Sequence, residues 1–170
     1  MPDISVQHLL NRAEKSQPSR AGAPRQADLR RGFSDAYYAL FHRLTQAVAQ
    51  QALRKVDPAA VQRFRRTPSH ATIKATCQKL PAGKGLHPQP LSNQAMKSQA
   101  VRSVAQAFVD LQEQRHSADY DHADAFDAKR LAEALETSKR AIKAIDSNKS
   151  DAAMCAFLSL LALKSDWASS

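Results

Sequence analysis

Arg25–Leu53 reads RQADLRRGFSDAYYALFHRLTQAVAQQAL. Leu29, Phe33, Ala36, Leu40, Leu44, Ala47 and Ala52 recur along it at spacings of three to five, which lays them on one helical face. Tyr37, Phe41 and Val48 widen that stripe. A helix with so broad an apolar face needs neighbours on several sides, so this segment is predicted to be the central helix of a bundle. Gly32 stands inside it at a cost of about 1 kcal/mol relative to alanine. Close approach of another backbone is one reason for a glycine there.

The flanking chain supports the same class. The 170 residues hold only four glycines and are rich in Ala, Leu, Gln, Lys and Arg, which favours an all-α protein with one core large enough to need no staples. Val6, Leu9, Leu10 and Ala13 suggest a short first helix, and Ser16–Pro24 (SQPSRAGAP) is a break. Asp57-Pro58 reads as a helix start, as does Ser69 before His70. Pro81–Pro90 is a loop, and Ser92 is the expected cap of the helix after it. Met96, Ala100, Val104, Phe108 and Leu111 form a second long stripe. Ala128–Ile145, capped by Asp127, and Ala152–Leu163, apolar nearly all round, complete an up-and-down bundle of four to five main helices. The expected organisation is a short helix and linker over residues 1–24, the bundle over residues 25–165 and a tail over residues 166–170.

Composition also bounds function. A net charge of +9 favours a polyanionic partner such as RNA. Between Arg12 and Arg66 basic residues outnumber acidic ones about three to one, and from Glu113 onward the signs roughly balance. Arg63, Arg65 and Arg66, with Arg54 and Lys55, form either a phosphate-facing patch or a solvated surface. Cys77 and Cys155 share no metal-ligand spacing, so two reduced thiols, no cofactor and a cytoplasmic location are expected. No secretory signal is visible, and the longest apolar run is too short to span a bilayer.

The chemistry concentrates in Leu111–Asp124, LQEQRHSADYDHAD. Arg115 stands where the apolar stripe of its helix predicts burial, and such conflicts between local and global rules gather at functional sites. Arginine clamps phosphate with a planar fork, and imidazole carries protons near neutral pH. If the backbone stays helical, Arg115, Asp119 and His122 share one face at i, i+4 and i+7. His116 is a second candidate proton carrier. Asp119 is a candidate to fix a histidine tautomer, and Tyr120 a supporting residue. The plainer reading is a helix end with solvated charges. A metal set of His116, Asp119, His122 and Asp124 can be drawn at helical spacing, but it lacks a strong signature and no metal is expected. His42 and His70 read as structural.

Three segments, Ser34–His42 (SDAYYALFH), Ser69-His70 and Arg115–Asp121 (RHSADYD), resemble the HEPN domains (higher eukaryotes and prokaryotes nucleotide-binding) over roughly residues 27–145. The family signature is an arginine, usually followed by a polar residue, then a histidine a few positions on. Here Arg115 is followed by His116, and six residues separate Arg115 from His122. Ala118–Asp121 (ADYD) resembles the subgroup that pairs with small nucleotidyltransferases, in which a tyrosine often stands near the histidine position, so Tyr120 and His122 both fit that place. The resemblance implies an all-α bundle, a homodimer that joins two motifs across a cleft, and metal-independent RNA cleavage in active members. Three functions are therefore expected as alternatives: an endoribonuclease or toxin using Arg115 and His122, a non-catalytic partner of a nucleotidyltransferase antitoxin, or a helical oligomerisation module with Ala152–Leu163 as its interface.

Overall fold

In the computed structural model, residues 5–17, 25–53, 57–66, 68–82, 86, 88–121 and 125–163 are described. Among them the protein is all-α. Eight helices run in the order α1 (Val6–Lys15), α2 (Gln26–Ala52), α3 (Pro58–Phe64), α4 (His70–Lys79), α5 (Gln89–Met96), α6 (Gln99–Tyr120), α7 (Ala128–Ser147) and α8 (Ala152–Ala162), with a 3-10 turn at Leu80–Ala82 after α4. Among the described residues no helix is long and apolar enough to cross a membrane.

The helix starts follow local chemistry. Asp57 accepts from the Ala59 backbone N–H at 2.9 Å, with Pro58 at the first position of α3. Ser69 accepts from Thr72 N–H at 3.1 Å, and Asp127 from Arg130 N–H at 2.7 Å. Each contact satisfies a backbone donor that the first turn leaves open. Ser92 does otherwise. It lies inside α5, fully buried, and donates to the Gln89 carbonyl at 3.0 Å, because Pro88 and Pro90 start the helix earlier than a serine cap requires. The stripe from Met96 to Leu111 is also broken: α5 ends at Met96 and α6 starts at Gln99, with Ser98 accepting from Val101 N–H at 3.4 Å.

The helices group into two compact units. Unit 1 comprises Met1–His42 and Ala107–Ala141, and unit 2 comprises Arg43–Gln106 and Ile142–Ser170. The long helices α2, α6 and α7 contribute to both.

The core of unit 1 is built on the predicted face of α2. Leu29, Phe33, Ala36, Tyr37 and Leu40 are buried, as are Phe108 and Leu111 of α6 and Leu131 and Leu135 of α7. Phe33 meets Phe126 edge-on at 4.9 Å, and Tyr37 tilts against Phe108 at 5.5 Å. Gly32 owes its place to a side chain, not to a backbone. A Cβ there would lie 2.7 and 2.9 Å from the two Cδ atoms of Leu131 and 3.1 Å from Ser16 Cβ. α1 is tied on by Lys139, whose ammonium bonds Glu14 at 2.8 Å; that hydrogen bond holds the Lys139 pKa above its usual value.

Unit 2 buries α8 almost whole: Ala153, Met154, Ala156, Phe157, Leu158, Leu160 and Leu161. Its apolar character is therefore spent within the chain. Gln51 donates to the Cys155 carbonyl at 2.6 Å and to Ser159 Oγ at 2.9 Å. Cys77 and Cys155 are both free thiols, and burial pushes the Cys77 thiol far up.

Candidate functional site

The site in unit 1 forms at the C-terminal end of α6. That end is pinned by Arg30, whose Nη1 donates to the Ala118 carbonyl at 2.8 Å and to the Asp121 carbonyl at 2.9 Å. A cation on terminal carbonyls suits the negative pole of a helix. The same guanidinium lies over the Phe126 ring at 4.8 Å, and Arg130 lies over it at 4.7 Å. Gln26 completes the clamp: its amide donates to the Phe126 carbonyl at 2.7 Å and accepts from the Phe126 N–H at 3.2 Å.

Arg115 does not drift into water. Its side chain is only 26% exposed, so the breach of the apolar stripe persists in the packed structure. Asp119 pairs with its Nη2 at 2.6 Å, and its guanidinium stands 5.8 Å from the centre of the Tyr38 ring. Arg115 Nε is buried without a hydrogen-bond partner. Asp119 also accepts from Ser34 Oγ at 3.1 Å, which ties α6 to α2. The carboxylate proposed to orient a histidine thus holds an arginine and a serine.

The other motif residues fall elsewhere. His116 and Tyr120 are exposed, with rings 4.9 Å apart, and neither lines the cleft described below. α6 ends at Tyr120, and the shared helical face is seen for Arg115 and Asp119. His122 and Asp124 lie outside the described residues, as do Arg54 and Lys55 of the basic patch. Arg63 and Arg66 are exposed and Arg65 half-buried, all in unit 2. Among the described residues no group of His, Cys, Asp or Glu is placed to hold a metal ion.

Beside the Arg115–Asp119 pair lies a cleft of about 480 Å³ lined by α1, α2 and Asp119. α2 supplies Arg31, Ser34, Asp35, Tyr38 and His42. These recur at i, i+3, i+4, i+7 and i+11, a polar and aromatic stripe running beside the apolar one. That spacing is visible in the sequence, but a reading fixed on the apolar face passes over it. The Tyr38 and His42 rings are nearly parallel, 28° apart in plane and 6.1 Å between centres. His42 therefore borders a cleft where the sequence suggested a purely structural histidine.

Asp35 is the unusual member. It is 4% exposed. Its Oδ1 accepts from Arg12 of α1 at 3.0 Å, and its Oδ2 is buried with no partner. A buried acceptor left unmade costs about 1–3 kcal/mol. Burial raises the Asp35 pKa above the usual carboxylate value, and the charges of Arg12 and Arg31 pull only part of the way back. No protein-family model, no curated protein and no solved structure matches this chain.

Proposed function

We propose that this protein is a HEPN-like endoribonuclease that works without a metal, as a homodimer, with Arg115 as phosphate clamp and His122 as acid/base. The observation that carries the reading is the half-buried guanidinium of Arg115, held by Asp119 and set against Tyr38, two residues that line a cleft. An arginine has five donors, so Asp119 leaves several for phosphate oxygens. RNA supplies its own nucleophile. A base removes the 2′-hydroxyl proton, O2′ attacks phosphorus, and the P–O5′ bond breaks as an acid protonates O5′. The products are a 2′,3′-cyclic phosphate and a 5′-hydroxyl. Arg115 balances the charge that builds on the phosphorane oxygens. His122 of one copy and His122 or His116 of the other supply base and acid. Arg63, Arg65 and Arg66 give the RNA backbone further cations.

The test is cleavage of an RNA oligonucleotide by purified protein in EDTA. Arg115→Ala and His122→Ala are each expected to lower the rate by about 10² or more, with helical circular dichroism unchanged. Cleavage that survives both substitutions removes the assignment. A second reading is favoured by Tyr120, which is 64% exposed at the end of α6. In it the protein is the non-catalytic partner of a nucleotidyltransferase, and Tyr120 is the modified residue. Absence of cleavage, together with a mass increase on Tyr120 after incubation with such an enzyme and a nucleoside triphosphate, selects it.

A further inference from the structure

One buried group is used neither by the packing nor by the proposed cleavage. The Asp35 carboxylate has about four acceptor positions on two oxygens, and Arg12 takes one of them. Oδ2 has none filled. Asp35 lines the cleft, and the torsion that swings its two oxygens is soft, so a bound ligand can draw the carboxylate round with the half-exposed Arg12 following. A buried, acceptor-only group lining a cleft is matched by a ligand that brings donors.

The neighbours narrow the ligand further. Tyr38 and His42 offer flat π surfaces on the same helix, and the exposed cation Arg31 lines the same cleft. A flat molecule with adjacent N–H donors on one edge and an anion at its other end fits this set. Among RNA bases, guanine carries two adjacent donors, N1–H and N2–H, on its pairing edge. Adenine and cytosine place a ring-nitrogen acceptor beside their single amino donor, and uracil flanks its one N–H with two carbonyls. Each of these sets a lone pair against a carboxylate oxygen. A site built on a buried polar group rejects such mismatches strongly, because its own group is then left unpaired.

We propose that the cleft of unit 1 is a guanine pocket: Asp35 accepts N1–H and N2–H of a guanosine nucleotide, the base lies against Tyr38 and His42, and Arg31 meets its phosphate. The proposal deepens the RNA reading and rests on it only for taking the guanosine to be part of an RNA chain.

Isothermal titration of the full chain with the 5′-monophosphates GMP, AMP, CMP and UMP tests it. GMP is expected to bind at least tenfold more tightly than the other three. Asp35→Asn, which replaces one acceptor with a donor, is expected to bring GMP down to their level. Arg31→Ala is expected to weaken all four by a similar factor. Equal affinities, no GMP binding at millimolar concentration, or a GMP preference that survives Asp35→Asn overturns the proposal. If Asp35→Asn does not fold, the wild-type ranking decides alone. Cleavage of oligonucleotides holding a single G or a single A in a uridine run separates this inference from the ribonuclease reading. Cutting without regard to G, with no GMP preference, removes the pocket and keeps the ribonuclease. GMP preference with no cutting removes the ribonuclease and keeps the pocket.

Discussion

Unit 2 is held by α8, whose buried residues are alanine, leucine, methionine and phenylalanine, and its cysteine at the core, Cys77, is shut away as an inert thiol. Unit 1 buries as good an aromatic core, yet beside it Asp35 is buried and Arg115 and Asp119 are half-buried, with the more exposed Arg12 paired to Asp35. Both units leave orphaned polar atoms, Arg43 Nη1 and Gln51 Oε1 in unit 2, and Asp35 Oδ2, Gln112 Oε1, Gln114 Oε1 and Arg115 Nε in unit 1. In unit 1 two of the four belong to charged groups: Asp35, which lines the cleft, and Arg115, whose partner Asp119 lines it too. Charged groups withdrawn from water add little to stability against apolar residues of similar size. Unit 2 withdraws a charge as well, Arg43 beside Asp146, so the feature of unit 1 that bears on a ligand is that Asp35, with its Oδ2 unmatched, lines a cleft.

The sharpest way to break this contrast is to damage unit 2. Phe157 is fully buried in α8. Phe157→Ala is expected to cost about 3–5 kcal/mol in urea denaturation, the usual penalty for an emptied aromatic site. Nucleotide binding per folded molecule should stay unchanged. A binding defect in protein that is still folded would show that the two units do not divide stability and ligand contact between them.

Gly32 sharpens the same contrast from the side of unit 1. An alanine there gains about 1 kcal/mol of helix propensity and meets Leu131, which has no exposed surface to move into. Overpacking costs about 1–3 kcal/mol, so Gly32→Ala is expected to destabilise by about 1 kcal/mol net. In a Leu131→Ala background the extra methyl fills part of the vacated space, and the sign should reverse. A double-mutant cycle with no coupling between these positions would contradict the contact.

The apolar half of this molecule was legible from residue spacing, because burial demands periodicity. The face of α2 from Leu29 to Leu44, the caps at Asp57, Ser69 and Asp127, and the all-apolar α8 all follow from rules that act within one helix. Ser92 escaped because prolines on both sides set the start of α5, and a proline start competes with a serine cap. The reason for Gly32 escaped because it lies in Leu131, about a hundred residues away in sequence. The site was half legible. Arg115 announced itself by interrupting a stripe, but its partners Ser34 and Tyr38 sit on another helix. Asp35 gave no signal, since an aspartate one residue after a serine on a long helix looks like any solvated charge until α1 is seen to cover it.

The smallest expected effect is the most direct measure of what the Asp35 carboxylate does. Its pKa is raised on folding, so in the window upward from about 3.8 the native state holds this proton more firmly than the unfolded chain. Where the native state binds more protons, stability falls as pH rises. The charged form therefore weakens the fold at neutral pH, and the weakening is absent below the window. Asp35→Asn removes the charge and keeps the shape. Because Arg12 is 43% exposed and regains water, the variant is expected to be more stable than the wild type at pH 7 by less than about 1 kcal/mol, and equal to it near pH 3. Thermal melts across that range check this. If the asparagine variant is instead the weaker one, by a margin that grows with pH, the Arg12–Asp35 pair is a structural bond. The carboxylate would then need no ligand to explain why it lies buried.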